Sequence, residues 1–217
     1  MEVWTGLTPG RGIGATRMPN GEDYSEAIKQ IKRTQAAFNA WDDLRILPGA
    51  FEFAGPSDPT LQDWQPGGAG ATFKVYKFKK DDEVFFTCQM PHNYLEGSDV
   101  YSHIHWTPCG NGVDEIGKQV SWKIDYSWAN DDAVFPQSTT LSLADTCSGV
   151  DDLHEHSIDY SISGTGKLLS SMLVIRLYRD TTGDTWVGAT DALSPAILEF
   201  DLHYQIDSNG SSEMWSK

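Results

Sequence analysis

From Ala71 onward, short runs of β-type residues follow one another with no helical pattern between them, and that succession confines the chain to an all-β architecture. The runs lie at 72–79, 83–90, 100–107, 118–129, 139–145, 154–163, 170–180, 185–190 and 196–207, separated by clusters of Gly, Asp, Asn and Pro. Several of them alternate. Trp122, Ile124, Tyr126 and Trp128 share one face of a strand, with Lys123, Asp125 and Ser127 on the other. Leu173, Ile175 and Leu177 alternate with Val174, Arg176 and Tyr178, and Ile197, Glu199, Asp201, His203 and Gln205 oppose Leu198, Phe200, Leu202, Tyr204 and Ile206. Successive side chains on a strand point to opposite faces, so these patterns bury one face and expose the other. Eight or nine such strands predict an antiparallel β-sandwich of jelly-roll type over residues 71–217.

The first 70 residues read differently. Gly6, Pro9, Gly10, Gly12, Gly14, Pro19 and Gly21 break any period, which predicts an extended arm over residues 1–21. Glu22 to Trp41 is the one helix candidate: Ile28, Ile31, Phe38 and Trp41 recur at helical spacing, with acids early and bases later. Residues 42–70 hold Pro48, Pro56, Pro59, Pro66 and the run Gly67-Gly68-Ala69-Gly70, and read as a covering loop. Charge divides in the same way. The chain of 217 residues carries a formal charge of −15; residues 1–80 hold 10 bases and 9 acids, residues 81–217 hold 6 bases and 22 acids. An acidic body repels phosphate backbones, which argues against a nucleic-acid partner. No apolar stretch approaches the roughly 18 residues that span a bilayer, and Met1 to Gly10 lack the build of a signal peptide, so no membrane partner is expected. Cys88, Cys109 and Cys147 form no CxxC pair and read as reduced, buried thiols of a protein made in a cytosol.

Two HxH pairs are the residues closest to chemistry. His103 and His105 share one strand face, as do His154 and His156, and paired histidines on strands are how a cupin-type jelly roll holds a metal. Gly97 stands where the cupin motif opens, but Trp106-Thr107-Pro108-Cys109-Gly110 lacks the carboxylate that should follow His105. The expectation is therefore no metal and no cofactor, with His103 and His105 the candidates for one and His203 or His156 as a third ligand. The second pair, beside Asp151, Asp152 and Glu155, reads as a solvated acidic turn. Asp42-Asp43, Asp81-Asp82, Asp131-Asp132 and Asp151-Asp152 read as solvated turn acids. No nucleophile elbow occurs, and Gly10-Arg11-Gly12-Ile13-Gly14 follows no strand and opens no helix, so catalysis has no candidate residue. Trp106, Trp122, Trp128 and Trp186 lie in strong strand patterns, which favour their filling a wide core or a subunit interface over forming an exposed row that stacks on sugars.

Trp41-Asp42-Asp43-Leu44-Arg45, Met90-Pro91-His92, Glu96-Gly97-Ser98-Asp99, His103-Ile104-His105-Trp106 and Tyr126-Ser127-Trp128-Ala129-Asn130 form an ordered series over about residues 41–130. The series resembles a group of structural proteins of tailed bacteriophages, with Ser102 where the group has Pro. The resemblance implies a virion protein assembled in a bacterial cytoplasm, not an enzyme. The expected role is a head decoration or cement protein that clamps capsid subunits through its N-terminal arm. The major capsid protein or another virion protein is then the partner and a homotrimer the assembly. Arg11, Arg17, Trp41, Trp106 and Trp128 are the candidate partner contacts. A tail fibre or adaptor, a carbohydrate-binding surface protein and a cupin-like metal enzyme are the alternatives.

Overall fold

In the computed structural model, residues 40–109, 115–149, 152–207 and 210 are described. The arm over residues 1–21, with Arg11 and Arg17, lies outside them, as does the expected helix up to Asn39.

The described residues form strands β1 (Ala40–Ile46), β2 (Thr60–Trp64), β3 (Phe73–Lys77), β4 (Glu83–Gln89), β5 (Val100–Thr107), β6 (Gln119–Val120), β7 (Trp122–Ala129), β8 (Thr139–Ser142), β9 (Asp145–Thr146), β10 (Glu155–His156), β11 (Tyr160–Ile162), β12 (Met172–Arg179) and β13 (Ala196–Ile206). One sheet runs β10-β5-β13-β3-β2, with β1 also on β13 and β11 also on β5. The second runs β4-β12-β7-β8, and β6 pairs β9. Every pairing is antiparallel. The fold is the expected β-sandwich of jelly-roll type.

The core lies between the two larger sheets. Val84 and Phe86 of β4, Trp122 and Ile124 of β7 and Leu173, Ile175 and Leu177 of β12 face Val100, Ile104 and Trp106 of β5 and Phe200, Leu202 and Tyr204 of β13. Aromatic rings bridge the layers: Phe86 meets Phe200 at 5.0 Å between centroids, and Trp106 meets Trp122 edge-on at 6.4 Å. Such rings supply the most buried area per residue ordered. Burial pushes the Cys88 and Cys109 thiols up to about 12, so they behave as small hydrophobes.

Three expectations need correction. Residues 42–70 are not merely a cover, because most of β1 and all of β2 fall within them and pair with β13 and β3. Trp41 accordingly sits in a strand rather than at a helix end. The run 185–190 forms no strand, because side-chain carboxylates take its amides. Asp184 accepts the Trp186 N–H at 3.1 Å, and Glu115 accepts those of Val187 and Gly188 at 2.9 and 2.7 Å.

One end of the sandwich is closed by polar bonds from the motif series. Glu96 accepts the Leu169 N–H at 3.0 Å, Asn130 bonds Gly166 and Leu168, and Lys167 donates to the Trp128 carbonyl at 2.6 Å. Gly164 donates its N–H to Asp99 at 3.0 Å, and a Cβ there would collide with the Ser98 carbonyl oxygen, so only glycine fits. No helix among the described residues is long and apolar enough to cross a membrane.

Candidate metal centre on the outer sheet face

The register of three strands builds a polar grid on the face of the larger sheet that points away from the core. Directly paired residues of antiparallel strands share a face. β13 sets His203 opposite both Asp43 of β1 and Tyr101 of β5. One step on, Asp201 stands between Arg45 and His103, and after that Glu199 stands opposite His105, which also pairs with His156 of β10. The intervening residues Ile104, Phe200 and Leu202 point into the core. Five of the six histidines of the chain converge here.

Three potential ligand atoms face one another. His103 Nε2 and His105 Nε2 lie 2.9 Å apart, and Asp201 Oδ2 lies 3.2 Å from His105 Nε2 and 3.7 Å from His103 Nε2. A second group shares His103: its Nδ1 is 3.0 Å from Asp159 Oδ1, which is 3.9 Å from His203 Nε2. Each set lies within the reach of a single cation. The other nitrogen of His105, Nδ1, meets His154 Nε2 at 2.7 Å. His203 Nδ1 bonds Asp43, and Arg45 clamps Glu199 through two bonds.

Burial sets the protonation. His103 and Asp201 are 3% and 4% exposed, so the charged form of each is disfavoured. Burial, then the neighbouring His103 and His154, hold the His105 imidazole down at about 4, and burial, then His203, lower His103. Burial, followed by the adjacent Glu199, pushes the Asp201 carboxyl up to about 7. The bond from Arg45 keeps Glu199 below the usual carboxylate range. His103 and His105 are thus held as neutral imidazoles beside a carboxyl that keeps its proton near neutrality. Neutral imidazole is the form that ligates metals.

The structure brings the predicted pair His103 and His105 together. His203, expected as a third ligand, lays its ring against that of His103 at 4.5 Å between centroids but turns Nε2 toward Asp159 and not toward the His103–His105 pair, and the His156 ring stays 6.3 Å from that of His105. Asp201 is the carboxylate missing downstream of His105; it arrives from β13 across the sheet. The pair His154 and His156 is not simply a solvated turn, since His154 contacts His105. Asp43 is a strand residue bound to His203, Asp42 accepts the Tyr204 hydroxyl at 3.0 Å, and Asp152 accepts the Gly67 N–H at 2.7 Å, so these acids are not free turn residues. Asp81 and Asp132 do sit in turns, with φ of 72° and 57°.

The partner-contact candidates divide. Trp106 and Trp128 are 0% and 2% exposed and pack in the core, so neither can meet a partner. Trp41 is 50% exposed. It packs edge-on to Tyr101 at 5.5 Å, and with Asp159 and His203 the two rings line an open depression of about 380 Å³ beside the histidines.

No protein-family model matches the sequence. No curated protein matches it either. Solved structures do align with it. A cycloisomaltooligosaccharide glucanotransferase of Paenibacillus sp., complexed with cycloisomaltoheptaose, aligns at 12% identity and a TM-score of 0.43, over 75% of this chain and 18% of that chain. A family GH115 4-O-methyl-α-glucuronidase with specificity for decorated arabinogalactans aligns at 12% identity and a TM-score of 0.37, over 75% of this chain and 17% of that one. Infectious bursal disease virus, Gx strain, contributes a chain at 11% identity and a TM-score of 0.35, over 78% of this chain and 33% of that one. The chain therefore spans a third or less of each of these proteins. With every TM-score below 0.5, none of these likenesses carries an activity over to this chain.

Proposed function

We propose that this chain is a non-enzymatic structural protein of a tailed-bacteriophage virion, placed on the head exterior as a decoration protein that clamps capsid subunits through residues 1–39. The observation that supports this reading is where the motif series falls. Glu96, Asp99, Trp128 and Asn130 close one end of the sandwich, and Trp106 anchors its core. A β-sandwich whose motif residues hold the body together, with an excess of acids over residues 81–217, suits a structural role. The major capsid protein is the proposed partner and a homotrimer the proposed assembly. Purified full-length protein is expected to sediment as a trimer and to co-sediment with capsids of its phage, and a version lacking residues 1–39 to lose capsid binding. Full-length protein that ignores capsids moves the role to the tail.

Trp41 and Tyr101 favour one second reading. The exposed Trp41 ring and the half-buried Tyr101 ring beside Asp159 have the make-up of a sugar-stacking site, with apolar faces and a polar acceptor. On a glycan array, binding that falls at least tenfold in Trp41→Ala would establish this reading; an array without any bound glycan removes it.

A further inference from the structure

We propose that the outer face of the larger sheet holds one divalent transition-metal ion of the zinc class, ligated by His103 Nε2, His105 Nε2 and Asp201 Oδ2, with water in the fourth position. This site does not depend on the virion reading and would serve any role of the chain.

Four observations carry it. The first is spacing. The three atoms form a triangle with edges of 2.9, 3.2 and 3.7 Å. A tetrahedral zinc with ligand bonds of about 2.0–2.1 Å separates its ligands by about 3.4 Å, so the side chains need move only by tenths of an ångström. The second is outer support. His154 stands 2.7 Å from His105 Nδ1 and can accept its proton, which turns the His105 Nε2 lone pair toward the centre, while Asp159 Oδ1 lies 3.0 Å from His103 Nδ1 but out of hydrogen-bond line with it. Carboxylate or other acceptors behind ligating histidines orient them in this way. The third is burial. Asp201 is 4% exposed, and its Oδ2 faces the two imidazole nitrogens. A buried carboxylate so placed is compensated when a cation binds. The fourth is ligand chemistry: two imidazoles and one carboxylate suit zinc, nickel or cobalt and not calcium or magnesium, which take oxygen donors.

Ligand placement separates this set from the overlapping group of His103, Asp159 and His203. In that group His103 would ligate through Nδ1, leaving its Nε2 against His105, and the carboxylate would be the exposed Asp159 instead of the buried Asp201. The assigned set leaves Asp159 behind the ligand, not on the ion.

The test uses the full-length chain, stripped with chelator and titrated with Zn²⁺ by calorimetry, with Co²⁺ as the optical probe. One equivalent is expected to bind. At 100 times the dissociation constant it is expected to raise the melting temperature by about 5 °C or more. Co²⁺ is expected to give the intense visible bands of a four-coordinate site. Asp201→Asn and His105→Gln are each expected to weaken Zn²⁺ at least 100-fold, Asp159→Asn about 10- to 100-fold. His203→Gln and the distant His92→Gln are expected to stay within about threefold of the parent. Variants are compared only where the metal-free circular dichroism matches the parent; the Co²⁺ spectrum of the parent needs no variant. Less than half an equivalent bound, an octahedral Co²⁺ spectrum, or loss on His203→Gln with His105→Gln unaffected would each overturn the assignment.

Discussion

Asp184→Ala is expected to destabilise the protein by about 3–5 kcal/mol, measured as a shift in denaturant midpoint at constant slope. Arg179 lies on the inward side of β12, following Leu173, Ile175 and Leu177, and its side chain is 0% exposed. Its guanidinium donates through Nε at 2.7 Å and Nη2 at 3.0 Å to the Asp184 carboxylate, and through Nη1 at 2.7 Å to the Phe78 carbonyl. Asp184 in turn accepts the Ser121 and Trp186 amides at 3.2 and 3.1 Å. Removing the carboxylate leaves a buried cation without its counter-charge and two amides without an acceptor. Burial pushes the Asp184 carboxyl up, but the Arg179 bonds outweigh it and hold the group below its usual range. Its folded pKa is depressed, so the stability it contributes is present above about pH 4 and is lost as pH falls further. Pairing Asp184→Leu with Arg179→Met is expected to recover most of the loss, because a well-packed apolar pair replaces two desolvated charges. A single Asp184→Ala loss below about 1 kcal/mol would contradict this account.

Trp106→Ala is expected to cost about 3–5 kcal/mol as well, by a different mechanism. The ring is fully buried between Trp122 at 6.4 Å and Trp186 at 6.0 Å, and its Nε1–H donates to Asp145 at 2.8 Å. The substitution opens a cavity between the sheets and takes the donor from a carboxyl that burial already raises. Trp41→Ala, at a half-exposed position, is expected to change stability by no more than about 0.5 kcal/mol. Equal losses at the two tryptophans would mean that Trp41 is buried in solution, by a partner or a second copy.

The strands were legible in the sequence because their signal is local. Period-two alternation placed β5 at residues 100–107 and most of β7, β12 and β13. Where the local signal was weak, the reading failed. Proline and glycine in residues 42–70 masked β1 and β2, which are held by pairing to β13 and β3 more than by their own propensity. The inward Arg179 was equally hidden, since its acceptors come from turns on other elements.

The histidine face shows the division most sharply. His103 and His105 on one face, and Glu199, Asp201 and His203 on one face, follow from sequence spacing alone. That the two faces are the same face does not. Ile197 opposes Trp106 and both are buried, yet Glu199 opposes His105, so β13 carries an extra residue there. This irregularity moves Ile197 into the core with Phe200 and off the face of Glu199 and Asp201, against the simple alternation. Side-chain direction has a period of two, so one inserted residue exchanges core and surface for the rest of the strand. The sequence by itself therefore determined an antiparallel β-sandwich and the residue types at its surface. Tertiary structure alone decided that Asp201 meets His103 and that Asp159 and His154 stand behind the imidazoles, because register between strands about 100 residues apart is set by packing of both sheets and not by any local preference.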